Sequence, residues 1–228
     1  MATPVITSTP QRPDVPKLGP PPGVFAAASA ALFVAGLAAS TVAAGGDVFP
    51  SPFAAPEDAL FYFTDHRDAV RLGATLQFAA AIPGALFVAA ITARLRTRGA
   101  LALTGGALAT GFLMLSAVVT WVLTVPEVID APHLVRALHT LAFLAGGPAN
   151  VVSTGLLIAG IGLPALNLRP WLARVGLVIA VAGLATTATL MRTQAAVLLP
   201  LARFTGMAWL IAAGFLVSKS AAAERNDR

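Results

Sequence analysis

The sequence predicts an all-α fold, an integral membrane bundle of six transmembrane helices built as three repeated helical hairpins. Three observations lead there. Hydrophobic residues make up 57% of the 228-residue chain and charged residues only 11%, where a soluble domain carries roughly 25% charged. Six apolar runs are each long enough to cross a hydrocarbon core, which takes ~20 apolar residues as helix. One stretch then repeats at a fixed offset, as set out below. The six runs fill the chain and leave no length for a soluble catalytic domain. The absence of cysteine removes disulfides, thiolate nucleophiles and Cys-ligated metals.

Residues 1–23 hold seven of the 17 prolines and few large apolar residues. Such a segment cannot bury enough surface to order itself, so a disordered cytoplasmic tail is expected. The transmembrane domain is expected over 24–217 and a charged cytoplasmic tail over 218–228. The first helix covers 24–44 and is read as an uncleaved anchor, with Gly36 and Ser40 as small packing residues. The loop 45–68 carries Asp47, Glu57, Asp58, Asp65 and Asp68. Pro56 followed by two acids marks a helix start, giving a short interfacial helix through Leu60, Phe61, Tyr62 and Phe63. The second helix runs over 69–93 and contains Pro83. Arg94, Arg96 and Arg98 crowd the turn into the third, over 100–125. An acidic loop, 126–133, precedes the fourth, over 134–163. The fifth covers 171–191, and the sixth ends near Val217.

Charge sets the expected orientation. With the N-terminus inside, the inner loops and tails collect ten of the 15 basic residues and three of the 10 acids. Lys and Arg decide topology, so both termini are expected to be cytoplasmic, in a bacterial plasma membrane. Arginine supplies thirteen of the fifteen basic residues, a bias that fits GC-rich coding in a bacterium. The net charge of +5 reflects this loop asymmetry, so the lipid bilayer is the expected partner and nucleic acid is not.

The repeat links residues 70–83 (VRLGATLQFAAAIP) to 135–148 (VRALHTLAFLAGGP), which align without a gap and share seven of fourteen residues. Arg71, Arg136 and Arg203 then sit near the outer ends of the second, fourth and sixth helices. A parallel repeat of this kind is one way to build a transporter-like bundle. The functional reading has the three arginines, with Arg192 beside them, converge on an outward vestibule that binds an anion. The structural reading pairs them with Asp65, Asp68, Glu127 and Asp130 or with lipid phosphates. Pro200 is expected in the first turn of the sixth helix, with Arg203 snorkelling outward, because a midplane arginine costs ~2.5–3.5 kcal/mol.

The fourth helix carries the most unusual residues. At 100° per residue His139, Phe143, Gly146, Asn150 and Ser153 fall near one face, with Arg136 a turn above. A polar and small-residue face must point into the bundle, since lipid offers no hydrogen-bond partner. Gly146, Gly147 and Pro148 are expected to break the helix and free the Leu144 carbonyl. His139 is read first as a neutral side chain bonded across helices and second as a proton-handling group. His139, Asn150, Gly146 and Gly147 therefore join Arg71, Arg136 and Arg203 as candidate ligand-binding residues.

What the spans lack bounds the chemistry. No apolar span contains Asp or Glu, no His/Asp/Glu cluster has metal-ligand spacing, and no serine stands with a base and an orienting acid. No catalytic residue, metal or cofactor is expected, and the chain is read as a non-enzyme. Two segments, RPWLARVGLV at 169–178 and LLPLARFTGMAWLIAAGF at 198–215, resemble parts of uncharacterised actinobacterial six-helix integral membrane proteins, a domain-of-unknown-function family. The resemblance implies the helix number and no reaction, cofactor or substrate. The leading expectation is a multi-pass membrane protein of non-enzymatic role. Its alternatives are a small transporter or permease with an outward anion vestibule, and a membrane subunit acting through a protein partner or a second copy of itself.

Overall fold

A computed structural model describes residues 19–95 and 98–226. Residues 1–18 of the expected disordered tail, Arg96 in the basic turn and the last two residues of the charged tail lie outside them. The regular elements among the described residues are helical: α1 (Pro22–Ala43), α2 (Pro56–Asp65), α3 (Arg67–Leu95), α4 (Ala100–Val122), α5 (Pro126–Ile129), α6 (Pro132–Leu144), α7 (Asn150–Ala165), α8 (Pro170–Ala185) and α9 (Leu198–Asn226). Six helical stretches are long and apolar enough to cross a membrane: α1, α3, α4, α6 continued by α7, α8 and α9. The start of α1, the turns at 98–99 and 166–169 and the far end of α9 lie on one side, the terminal face. The segments 44–66, 123–131 and 186–197 lie on the other, the loop face.

Proline starts most of these helices. Pro22, Pro56, Pro126, Pro132 and Pro170 each occupy the first turn of α1, α2, α5, α6 and α8. That turn has no intrahelical use for an N–H, and the ring presets φ. The exit from α1 depends on glycine instead, because Gly45 and Gly46 adopt φ of 68° and 102°, where a Cβ is strained.

The spans close into a ring, each packing on its sequence neighbours and α9 returning to α1. Between helices in lipid no water is released to drive association, so close van der Waals approach has to hold them. Glycine provides it at every seam. Gly36 and Gly73 bring α1 onto α3, and Gly106 admits Val88 between α3 and α4. Gly105 and Gly160 bring the backbones of α4 and α7 together, and Gly155 with Gly183 joins α7 to α8. Gly176 receives the Trp209 ring of α9, and Gly214 meets Gly23 where α9 closes on α1. Within the ring toward the terminal face, Phe87, Ile91, Ala102, Ile158, Ile161 and Trp209 form a buried apolar core.

Four features differ from the sequence reading. The second span begins at Arg67, two residues before the expected start, so the expected interfacial helix α2 runs into it across His66 alone. The fourth span does not break: the chain passes Gly146-Gly147-Pro148 as one π-helical turn over Ala145–Ala149. A widened turn takes up the missing proline donor while keeping the rod continuous. The fifth span narrows to a 3-10 turn over Thr186–Leu190. The sixth continues as helix to Asn226, through the segment expected as a tail. The aligned stretches 70–83 and 135–148 keep Val70 and Val135 in one buried cluster, but Pro83 leaves α3 an uninterrupted α-helix where Pro148 forces the π turn.

The α4–α7 seam gives a direct test. A Cβ on Gly105 would stand 2.7 Å from the Leu156 carbonyl carbon, and one on Gly160 2.7 Å from the Ala102 Cα. Backbone cannot yield as a side chain can. Gly105→Ala and Gly160→Ala should each destabilise the detergent-solubilised protein by more than about 1 kcal/mol, read as a lower melting temperature. Gly111→Ala, with open space around it, should melt like the parent.

Candidate functional site

Between the ring and the loop face lies a cavity of about 440 Å³, within the size range of small-molecule sites. Its wall is mostly apolar and comes from α1, α3, α4, α6, α9 and the covering segment 48–52. Ser40, Gln77, Ser116, His139 and Arg203 supply most of its polarity. A smaller void of about 90 Å³ continues toward the terminal face, lined by Ser29, Thr110 and Asn150 among apolar residues. Arg203 lines both.

Arg203 reaches this position from the second turn of α9. Pro200 occupies the first turn as expected, but the side chain does not snorkel outward. Its Nη2 donates to the Gly146 carbonyl, and its guanidinium carbon lies 5.1 Å from the Phe33 ring centre. The π turn makes that carbonyl available. In an α-helix the Asn150 N–H would bond Gly146 O; here it is turned to Ala145 O and Gly147 O. The small residues bring the acceptor close, since a Cβ on Gly146 would run into Ser116 Oγ. Ser116 donates at 2.9 Å to Ala142 O and accepts at 3.2 Å from Gln77 Nε2, which ties α3, α4 and α6 together at the cavity floor.

The guanidinium has five N–H donors and one carbonyl of the protein to receive them. Among the described residues the ion pairs are those of His66 with Asp47 and Asp65, so no carboxylate compensates Arg203. A cation held in a mostly apolar wall without a counter-charge is costly unless something else meets it.

The remaining sequence candidates divide. Gly146, Gly147 and His139 line the large cavity and Asn150 the small one. Arg71 is not part of it: Nε donates at 2.9 Å to Thr124 Oγ1 and the guanidinium lies over Trp121, 5.7 Å from the ring centre. Arg136 points away and is exposed. The expected convergence of three arginines therefore reduces to Arg203 alone, because residues 71 and 136 fall on faces turned from the ring's interior. Neither makes an ion pair with Asp65, Asp68, Glu127 or Asp130. Asn150 donates at 2.7 Å to Ala109 O of α4, a bond across spans.

His139 holds the cover. Its ring is 4% exposed, faces the Pro50 carbonyl, and is met edge-on by Phe49 and Phe63 at 5.6 and 5.2 Å. Phe49 also meets Tyr62 at 5.6 Å. His66 Nε2 lies 2.9 Å from Asp47 Oδ2, fastening the start of the segment to the end of α2. Sequence reasoning missed Phe49, Gln77 and Ser116 and placed Phe63 only in a short interfacial helix; the polar pair carries no spacing signal.

Fold and cavity together define a bundle of six helices long and apolar enough to span a membrane, with a cavity toward one face. No protein family, curated protein or solved structure matches the chain, so the reading of its role rests on this geometry.

Two outcomes check the cover. Phe49→Ala removes the ring between His139 and Tyr62 and should speed the labelling of Ser40→Cys by a water-soluble thiol reagent several-fold; the cysteine-free background makes the rate unambiguous. Burial first, and the Asp47 charge second, push the Tyr62 phenol above its ordinary 10.0. The folded state thus holds this proton more tightly than the unfolded chain. The stability it carries is complete below pH ~10 and is lost as pH rises through the folded value. Tyr62 is the single tyrosine, so tyrosinate absorbance reads it alone. Its midpoint should exceed that of the denatured protein, and Asp47→Asn should lower it without abolishing the gap.

Proposed function

We propose that this chain is a non-enzymatic, permease-type protein of the bacterial plasma membrane that binds a small anionic molecule in the loop-face cavity. One observation carries the reading: Arg203, in the wall of a ligand-sized cavity, with no carboxylate among the described residues in ion-pair contact. A half-buried guanidinium with donors beyond the one bonded to Gly146 O is suited to a carboxylate or phosphate, which it can meet with two parallel bonds. A cavity lying toward one face and stopped at the other by packed apolar residues is what one state of an alternating-access protein offers. The positive-inside count sets the termini in the cytoplasm, so the cavity faces outward. The non-enzymatic reading is supported by the cavity's polar groups, since Ser116 is committed to Ala142 O and His139 to the covering segment. Neither is placed as a nucleophile with a base.

Arg203→Gln removes the charge and keeps a shorter amide donor on the same side of α9. If the reading holds, small carboxylates and phosphates raise the melting temperature of the parent protein and leave Arg203→Gln unmoved. Equal stabilisation of both proteins would sink it. The orientation has its own check. A membrane-impermeant thiol reagent added to intact cells should modify Val48→Cys and spare a cysteine placed at Leu168.

A further inference from the structure

The way into the cavity narrows the class of ligand. α1 and α9 close on each other at the terminal face, where Gly23 meets Gly214 and Phe215. They meet again at mid-depth, where Arg203 lies over Phe33 and Met207 packs against the cluster containing Phe33. Both helices also line the cavity through Leu37, a turn nearer the loop face than Phe33, and through Phe204, the residue after Arg203. Those two side chains are at the same time 47% and 46% exposed. A residue that borders a cavity and the outer surface at once marks a rim.

Depth says what the rim faces. Leu37 stands six residues before the end of α1 and Phe204 six after the start of α9. At 1.5 Å per residue each is ~9 Å below its helix end, within the ~15 Å of hydrocarbon belonging to one leaflet. The rim therefore opens to lipid tails, while the covering segment of Phe49 and Pro50, pinned by His139, hinders the direct route from water. The lining supports the same occupant: apolar residues dominate it, and one uncompensated cation stands one residue from the rim at Phe204.

We infer that the cavity takes a membrane-resident single-chain amphiphile, which enters between α1 and α9, sets a carboxylate or phosphate head on Arg203 and leaves its alkyl chain toward the leaflet. This rests on the anion-binding reading of the same cavity and adds the ligand's chain and its route. The head group has two sources, a free fatty acid or a single-chain phospholipid, and Arg203 can hold either by the same paired bonds.

The test uses the full chain in detergent, with melting temperature as readout, against acetate, octanoate, palmitate, a lysophosphatidic acid and inorganic phosphate, the amphiphiles below their micellar concentrations. Four proteins are compared: the parent, Arg203→Gln, and Leu37→Cys and Phe204→Cys each capped with a bulky maleimide to fill the seam. The second capped variant serves if the first fails to fold. The expected result is stabilisation that rises from acetate to palmitate in the parent and is lost in Arg203→Gln. In the capped proteins the long-chain effect should be lost while any effect of phosphate survives. Palmitate acting without the lysophospholipid, or the reverse, assigns the head group within the inference. If inorganic phosphate or acetate stabilises as well as palmitate, depends on Arg203 and ignores the caps, the amphiphile inference is overturned and the anion cavity stands. If palmitate stabilises the parent and Arg203→Gln alike, both are overturned.

Discussion

Arg203 resting on the Gly146 carbonyl is the contact on which the arrangement of the cavity depends. A guanidinium at that depth cannot stay in hydrocarbon without an acceptor, and among the described residues no acid pairs with it. The acceptor exists because Pro148 removes a backbone donor and the chain answers with a π turn, which redirects the Asn150 N–H and leaves Gly146 O turned to α9. Gly146 is needed for the same reason seen from the other side, since Ser116 occupies the space a Cβ would take. Proline, glycine and arginine on two different spans thus form one device. It joins α9 to the fourth span at the cavity wall.

Elsewhere the bundle meets the same constraint by sharing backbone carbonyls. Ser29 bonds Ala80 O, Ser116 bonds Ala142 O, Asn150 bonds Ala109 O and Trp209 Nε1 bonds Leu172 O, each across two spans. A helical carbonyl has a second lone pair, so these bonds cost the helices nothing of their own ladder. They require the backbones to approach closely, and the glycine at every seam allows it. The long-range hydrogen bonding and the small-residue packing are therefore one requirement met at several depths. Between the loop-face halves of α1 and α9, Leu37 and Phe204 line the cavity and stay half exposed.

Length and hydropathy alone determined the class of fold, because a helix that must cross hydrocarbon announces itself by ~20 apolar residues. The start of α2 was legible too, since Pro56 with Glu57 and Asp58 states a local rule about the first turn. So was the inward face of the fourth span: His139, Gly146, Asn150 and Ser153 are all buried. The break expected at Gly146-Gly147-Pro148 was not found, because a local rule says that a hydrogen bond is lost and not how neighbouring spans will let the chain recover it.

The direction of each arginine was beyond the sequence. Arg71, Arg136 and Arg203 occupy matching places near helix ends, and periodicity treats them alike. The tertiary structure separates them: Arg71 finds Thr124 and Trp121, Arg136 faces outward, and Arg203 turns in toward a carbonyl that a π turn has exposed. Span number and the inward face of a helix follow from one segment's own composition and period. A cavity, its cover and its rim follow from which segments meet, and that is decided by packing between residues far apart in the chain.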